Sequence, residues 1–552
     1  MTRLNNSFFK YSREIAEKFL QSAVVIDDWA RFPGLGEEPV AAKMMTPLKR
    51  PPVGRVATGL DEQTAETEGK TTPEDPHQLN AKKVIDGFAS KGIICSVIKP
   101  KEEERDTLPE FISQLSSSAD IIVIDWSMQN DNGEMALQLV KQLADSDSSE
   151  RTQMRLIAIY TIDPDAARIP ERIKAYLEES GMDNISVSDD GFYLTIGAIR
   201  IVVLSKTGSK IPPEYMGQIV PFEELADRLT AEFTDMTTGL VSNVVMDSLA
   251  EIRINNHKII TNFARDLDAP YLAQRSLLEN PEDAEEHLVA LVAAELTALL
   301  EERNVRAGAN IEAIKHWIDY KKPGEDKFIL EIAPHSTKEL SKEVIIELLE
   351  KGILNVGQTK CGLSKTQINN AHKFNFSQMY QCSDDIKPNL DEKLAVIMSF
   401  RSFYGEPVPR LNLGTIIKTN DAKNEYYICI RPNCDCVQIT TRTSFLFLPM
   451  AIQTGDKFDL VVKDNGNYIR FSISRKSYDI KLIEFVPEES GKGRIVAYKQ
   501  EDKYYFRDAS QKIYNWIGEL RSEHAIRLST QYATELSRVG LNESEWLRRY
   551  AK

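Results

Sequence analysis

Little in this chain points to redox, thiolate-metal or nucleotide chemistry. Its six cysteines, Cys95, Cys361, Cys382, Cys429, Cys434 and Cys436, include no CxxC pair. No secretory leader precedes them, so reduced thiols in a cytoplasmic protein are the expectation. Cys429, Cys434 and Cys436 lie close in sequence but have no histidine nearby, and buried or edge-strand thiols account for them better than a metal site. The seven histidines, His77, His257, His287, His316, His335, His372 and His524, form no HExxH or HxxxH group, and none is assigned to catalysis. No GxxxxGKS/T loop, GxGxxG turn or GxSxG elbow occurs, which removes the simplest kinase, dinucleotide and hydrolase readings, and the chain is expected not to be an enzyme. No apolar run reaches the roughly 18 residues of a membrane span, and no repeat of about 20 to 50 residues is visible. Basic residues are outnumbered, 68 against 83 acidic, for a net charge of −15. Such a surface opposes phosphate-backbone binding, so nucleic acid is an unlikely partner.

What is present is a long chain with enough apolar residues to fold. Its 552 residues exceed what one core supports, and at about 150 residues per domain they suggest three or four folded units. With 42% hydrophobic and 27% charged residues, most of the sequence can bury enough surface to offset chain entropy.

The first strong signal is Ala23-Val24-Val25-Ile26-Asp27-Asp28, after a short amphipathic helix from Phe8 to Phe19. An unbroken apolar run ending in acid reads as a parallel strand buried on both faces. Residues 33–79, rich in proline and polar residues, read as a disordered or loop insertion. Helix and strand then alternate: helix Lys82–Ser90, strand Ile93–Ile98, helix Pro109–Ser116, strand Ile121–Asp125 and helix Gly133–Leu143. Strand Leu156–Tyr160, a helix near Ala167–Glu178, strand Ile199–Leu204 and a closing helix with Phe222, Leu225, Leu229 and Phe233 on one stripe complete the rhythm. This is a doubly wound α/β sheet, with a polar hairpin over 184–197 added to it.

A helical connector is expected over 236–325, with a marked start at Asn280-Pro281-Glu282-Asp283. A mixed, mostly helical stretch follows over 326–408. A small antiparallel β-barrel or sandwich is expected over 409–490, built from strands Leu413–Ile417, Tyr426–Ile430, Cys436–Thr440, Phe458–Val462, Tyr468–Ile473 and Ile480–Phe485. A hairpin and two C-terminal helices, Gln511–Leu520 and Ala525–Val539, fill 491–552. Arg431, Arg442, Arg470 and Arg475 with Tyr468 and Phe471 would suit a nucleic-acid stacking face, but alternating exposed charge and core aromatics explain the same letters better. The overall class is multidomain α/β, with a flavodoxin-like N-terminal domain and a C-terminal α+β region.

Open α/β sheets place their ligands at the carboxyl ends of the strands. Asp27 and Asp28 end the first strand and Asp125 ends the third, so neighbouring strands would gather three carboxylates that need a cation. Mg2+, a hard ion that prefers oxygen, is the natural one. A carboxylate so placed can attack phosphorus. Thr161 supplies a hydroxyl at the end of the fourth strand and Lys206 an ammonium at the end of the fifth.

These residues resemble the receiver domains of two-component response regulators over roughly residues 20–235. The local pattern is Asp125 with Met128 three residues on and Gly133 opening the next helix, in Asp120-Ile-Ile-Val-Ile-Asp125-Trp126-Ser127-Met128-Gln129-Asn130-Asp131-Asn132-Gly133. The resemblance implies that Asp125 is the phosphoacceptor, that Thr161 and Lys206 contact the phosphoryl group, and that Asp27, Asp28, Asp125 and the Ser127 carbonyl hold Mg2+. It also implies phosphorelay from a histidine kinase and protein partners for output. Three positions depart from the family: Gln129 and Thr207 stand where proline is usual, and Val203 where an aromatic switch residue is usual. Phrases farther along, Leu413-Gly-Thr-Ile-Ile-Lys418, Tyr427-Ile-Cys-Ile-Arg-Pro-Asn-Cys-Asp435 and Leu536-Ser-Arg-Val-Gly-Leu541, are similar to receiver-bearing proteins found beside GHKL-type ATPases in bacterial antiphage defence. Two other functions are compatible with the sequence: a pseudo-receiver scaffold for protein interaction, and an effector such as a nuclease within residues 325–552.

Overall fold

The computed structural model describes residues 6–32, 78–116, 118–147, 154–381, 388–404, 408–474, 476–488 and 491–536. The expected insertion therefore lies outside the described residues over 33–77. They fall into two compact units, residues 1–267 with 288–320, and residues 268–287 with 321–552. Among them no helix is long and apolar enough to cross a membrane.

The first unit opens with α1 (Ser7–Phe19), capped by the Asn6 side chain, which accepts the Phe8 N–H. Five parallel strands follow: β1 (Ser22–Ile26), β2 (Ile94–Ile98), β3 (Ile121–Ile124), β4 (Arg155–Thr161) and, after the antiparallel hairpin β5 (Ile185–Val187) and β6 (Tyr193–Ile196), β7 (Ile199–Ser205). The sheet order is β2-β1-β3-β4-β7-β6-β5. Its first five positions are those of a doubly wound flavodoxin-like sheet, and the hairpin extends the edge beyond β7.

The crossover helices are α2 (Ala81–Ser90), α3 (Leu108–Ser116), α4 (Glu134–Asp147) and α5 (Ile169–Glu179), and α6 (Leu225–Thr237) closes the sequence. Alternate strand residues enter two separate cores. Ile26, Ile124, Ile157 and Val203 pack with Leu139, Val140 and Ile173 on one side. Val25, Val123, Tyr160 and Leu204 pack with Val84, Phe88, Leu225 and Phe233 on the other. Both faces are covered, which is why these strands read as unbroken apolar runs. Leu79, at the far end of the expected insertion, is fully buried in the second core.

The stretch expected as a connector is helical in α7 (Leu240–Asn262), α8 (Asp268–Leu277), α9 (Asp283–Glu302) and α10 (Ile311–Lys321). α7 is bound to the parallel-sheet layer. Lys18 pairs with Asp247 and Glu251 at 2.7 and 2.6 Å, and Asn243 donates to the buried Ser12 hydroxyl at 2.9 Å. Arg253 pairs with Asp120, just before β3, at 2.9 Å.

In the second unit, a hairpin of β8 (Lys327–Ala333) and β9 (Ser336–Ser341) leads into α11 (Lys342–Lys351), whose first turn is capped by Ser341. After short helical turns and α12 (Leu390–Ser399) comes one nine-stranded sheet. Its strands are β10 (Thr415–Thr419), β11 (Tyr426–Cys429), β12 (Thr443–Ile452), β13 (Leu460–Asp464), β14 (Asn467–Ile473), β15 (Lys481–Phe485), β16 (Tyr498–Gln500), β17 (Lys503–Arg507) and β18 (Ile513–Glu519), all antiparallel. α13 (Ser522–Leu536) lies against one face through Ala525, Leu528 and Tyr532.

The β region therefore extends past 490. Residues 511–520, expected to be helical, are mostly strand β18, which pairs with β10. Cys436–Thr440 is not a strand: a 3-10 turn covers Asn433–Cys436, and Gln438 takes a positive φ of 55° that a regular strand does not accommodate.

The arginines considered as a stacking face are engaged elsewhere. Arg442 binds Glu484 and Arg470 binds Glu392. Arg431 donates to the carbonyls of Asp435 and Ser444. Phe471 is fully buried, and Arg475 lies outside the described residues. Among the described cysteines Cys429 and Cys436 are buried and Cys434 is exposed, and none is in a disulfide.

Candidate functional site

Asp27, Asp125 and Lys206 each directly follow a strand and Thr161 ends β4, and ladder hydrogen bonds still fix their backbones. The Asp27 N–H donates to Ile98 at 3.0 Å, the Asp125 N–H to Ile26 at 2.9 Å and the Lys206 N–H to Thr161 at 2.7 Å. Sheet register therefore brings together residues almost a hundred positions apart. Asp27, Asp125, Thr161 and Lys206 are all buried. A cleft of about 500 Å3 opens beside them, lined by Asp125, Ser127, Thr161, Lys206 and Trp29.

The ammonium of Lys206 lies between two carboxylates, 2.7 Å from Asp27 Oδ2 and 2.7 Å from Asp125 Oδ1. Among the described residues no three acidic, histidine or cysteine side chains are gathered as they stand to hold an ion. The lysine is the cation in this arrangement. Burial works against its charge, but Asp125 and Asp27 outweigh that effect and hold its pKa above the usual lysine value.

The acidic pair divides its work. Asp27 Oδ1 accepts the Trp29 N–H at 2.8 Å while Oδ2 holds Lys206. Asp28 Oδ2 accepts the Gln129 N–H at 2.6 Å, but Asp28 Oδ1 is buried with no hydrogen-bond partner. Burial, with Asp27 alongside, raises the Asp28 pKa. An unpartnered buried carboxylate oxygen beside two further acids is a donor set that suits a hard divalent cation. Thr161 Oγ1 accepts the Asp163 N–H at 3.0 Å, which leaves its own proton free to donate.

Burial pushes Asp125 to about 6 from 3.8, Lys206 pulls it back and Asp27 and Asp28 push it up. The folded protein therefore holds this proton more tightly than the unfolded chain. Its contribution to stability is complete below the unfolded value and is lost as pH rises through the folded one. Between about pH 4 and 6 the wild type is expected to lose stability relative to Asp125→Asn. Unfolding midpoints measured across that range check this, and a constant difference between the two proteins contradicts it.

The response receiver domain family matches residues 19–210. The chain carries a receiver domain. No curated protein and no solved structure matches the chain.

Two of the receiver's departures have visible reasons. Gln129 has φ of 54° and donates its N–H to Asp28. Proline, fixed near −65° and without an N–H, can do neither. Val203 is buried in the core of α4 and α5, where an apolar branched side chain packs and offers no polar atom toward Thr161. The structure gives no account of Thr207.

The receiver also uses residues that pattern reading passed over. Trp126 is fully buried beneath the Arg172 guanidinium, which lies 4.8 Å from its ring centre, and Gly133 abuts the indole. The sequence signal for this was the run Asn130-Asp131-Asn132-Gly133, whose residue types tolerate positive φ; Asn130, Asn132 and Gly133 adopt it. Asp120, which anchors Arg253, carried no signal beyond being an acid before a strand.

Proposed function

We propose that Asp125 accepts a phosphoryl group from a partner histidine kinase or GHKL-type ATPase, making the chain a response-regulator-like element of a phosphorelay. The observation that carries this reading is the Lys206 ammonium held 2.7 Å from both Asp27 and Asp125 at the strand ends, open to a cleft of about 500 Å3. The receiver match over residues 19–210 supports phosphorelay at the level of the domain. The choice of donor rests on the sequence resemblance.

In this reading a carboxylate oxygen of Asp125 attacks phosphorus. The phosphorus–nitrogen bond of the donor phosphohistidine breaks, and the imidazole leaves and takes up a proton. The product is an aspartyl phosphate, and one phosphoryl group has moved without any oxidant or second nucleotide. Lys206 shifts from Asp125 to a phosphoryl oxygen, where an ammonium acts as a point charge. Thr161 donates its hydroxyl proton to another oxygen. Mg2+ held by Asp28, Asp125 and the Ser127 carbonyl, with Asp27, would screen the phosphoryl charge during the approach. The aspartyl phosphate carries about −2 where the carboxylate carried −1, a net gain of about one negative charge at a buried site, and Lys206, already inside it, is the group that responds.

The direct test is chemical labelling. Acetyl phosphate with Mg2+ is expected to label the full chain, and Asp125→Asn is expected to abolish the label while leaving the fold intact by circular dichroism. Undiminished labelling of the variant would falsify the assignment.

A further inference from the structure

Tyr160 immediately precedes Thr161 in β4, and its side chain enters the core opposite the one that holds Val203. It is 1% exposed, and its contacts converge on one short segment. The hydroxyl donates to the Val220 carbonyl at 2.6 Å. The ring meets Phe222 edge-on, centroids 6.1 Å apart, and the Lys206 ammonium lies 5.9 Å from the ring centre. Val220 is held from the other side as well, because its N–H donates to the Ser205 carbonyl at 2.9 Å and Ile219 pairs with Ser205 in a parallel bridge. The segment 219–222 is thus clamped between the ends of β4 and β7, each one residue from a phosphoryl-contacting side chain, and it runs directly into α6.

From α6 the contacts continue without a gap. Phe233 stacks on Phe19 at 5.8 Å, and the α7 guanidinium of Arg253 covers the same ring at 4.7 Å. One group in the clamp is unsatisfied: the Ser205 hydroxyl is buried with no hydrogen-bond partner. Buried polar groups are normally paired, and an orphan beside a residue that must move marks a place where a second arrangement is available.

We infer that Tyr160 carries the receiver's output: when Lys206 leaves Asp27 and Asp125 for a phosphoryl oxygen, Tyr160 and segment 219–222 shift together and reset α6 and α7. The inference rests on the phosphoacceptor reading above and adds the route by which that site is read out. Position 203 does not serve this role here. Valine has no polar atom to follow Thr161, and its methyl groups are enclosed by α4 and α5. Tyr160 is polar at one end and apolar along its body, and its hydroxyl is buried away from water, so it moves with the carbonyl that holds it.

The experiment is hydrogen exchange of backbone amides 219–262 in the full chain, with and without acetyl phosphate and Mg2+, with label stoichiometry measured in parallel. Wild type is expected to take the label and change its exchange in this region. Tyr160→Phe is expected to take the label to the same stoichiometry and lose the exchange change. Phe222→Leu keeps every side-chain hydrogen bond and is expected to weaken the change, so the route is tested even if the hydroxyl proves necessary for folding. Val203→Ala is expected to keep it. The inference is overturned if Tyr160→Phe or Phe222→Leu, labelled like wild type, responds like wild type. A wild-type chain that takes no label refutes the phosphoacceptor reading instead.

Discussion

Replacing Lys206 by methionine is expected to lower stability at neutral pH by about 3–5 kcal/mol in the absence of divalent cations, the usual cost of removing one partner from a buried ion pair. The lysine sits 2.7 Å from Asp27 and Asp125 and all three side chains are buried, so its loss leaves two charges without compensation in a poorly solvated place. Asp28, with an unpartnered buried oxygen, adds to the repulsion. The same loss frees the carboxylates for an ion. Millimolar Mg2+ is therefore expected to recover part of the deficit, since a ligand that binds only the folded state stabilises it by mass action. Urea unfolding of wild type and Lys206→Met, each with and without Mg2+, measures both effects. A variant as stable as wild type without the ion, or one indifferent to Mg2+, contradicts the electrostatic account of the site.

Gly133→Ala is expected to be nearly as damaging, for steric reasons. Gly133 has φ of 91°, and an added Cβ would lie 2.3 Å from Cζ2 and 2.4 Å from Cε2 of the Trp126 indole. The ring cannot give way easily, because it is fully buried and Arg172, anchored to the Asn132 carbonyl at 2.8 Å, lies over it. Overpacking typically costs about 1–3 kcal/mol and the backbone conformation about 1–2 kcal/mol more. A double-mutant cycle with Trp126→Phe separates the two: the smaller ring is expected to return the steric part and leave the backbone part. Additive effects of the two substitutions would show that the indole does not set the requirement for glycine.

The receiver was legible because its strands are buried on both faces and its acids follow them directly. Ala23–Asp28 and Ile121–Asp125 each pair an apolar run with a terminal carboxylate, and parallel register does the rest. What the sequence did not show was the division of labour within the cluster. Lys206 belongs to Asp27 and Asp125 together, and Asp28 is tied to Gln129, because those pairings depend on side-chain reach across strands.

The C-terminal sheet was harder to read. Thr443–Ile452 is not among the expected strands, and it carries Pro449, a residue that argues against a central strand. The structure places Pro449 where the partner changes: residues 443–447 pair with β15 and 450–452 with β14, so the missing N–H falls between two ladders. β18 was read as helix for a different reason. Tyr514 and Gly518 are buried, but the residues between them are only partly covered, which blurs the alternation that marks a strand. The expected connector shows the same limit, since Arg253 and Asn243 are bound to the receiver layer by partners more than a hundred residues away.

The central claim is that the side chain at position 125 becomes the phosphorylated one. Borohydride reduces an aspartyl phosphate to homoserine, which marks the site permanently for mass spectrometry. After incubation of the full chain with acetyl phosphate and Mg2+, homoserine is expected at position 125, with Asp27 and Asp28 unchanged. Homoserine at 27 or 28, or a labelled chain with aspartate intact at 125, would contradict it.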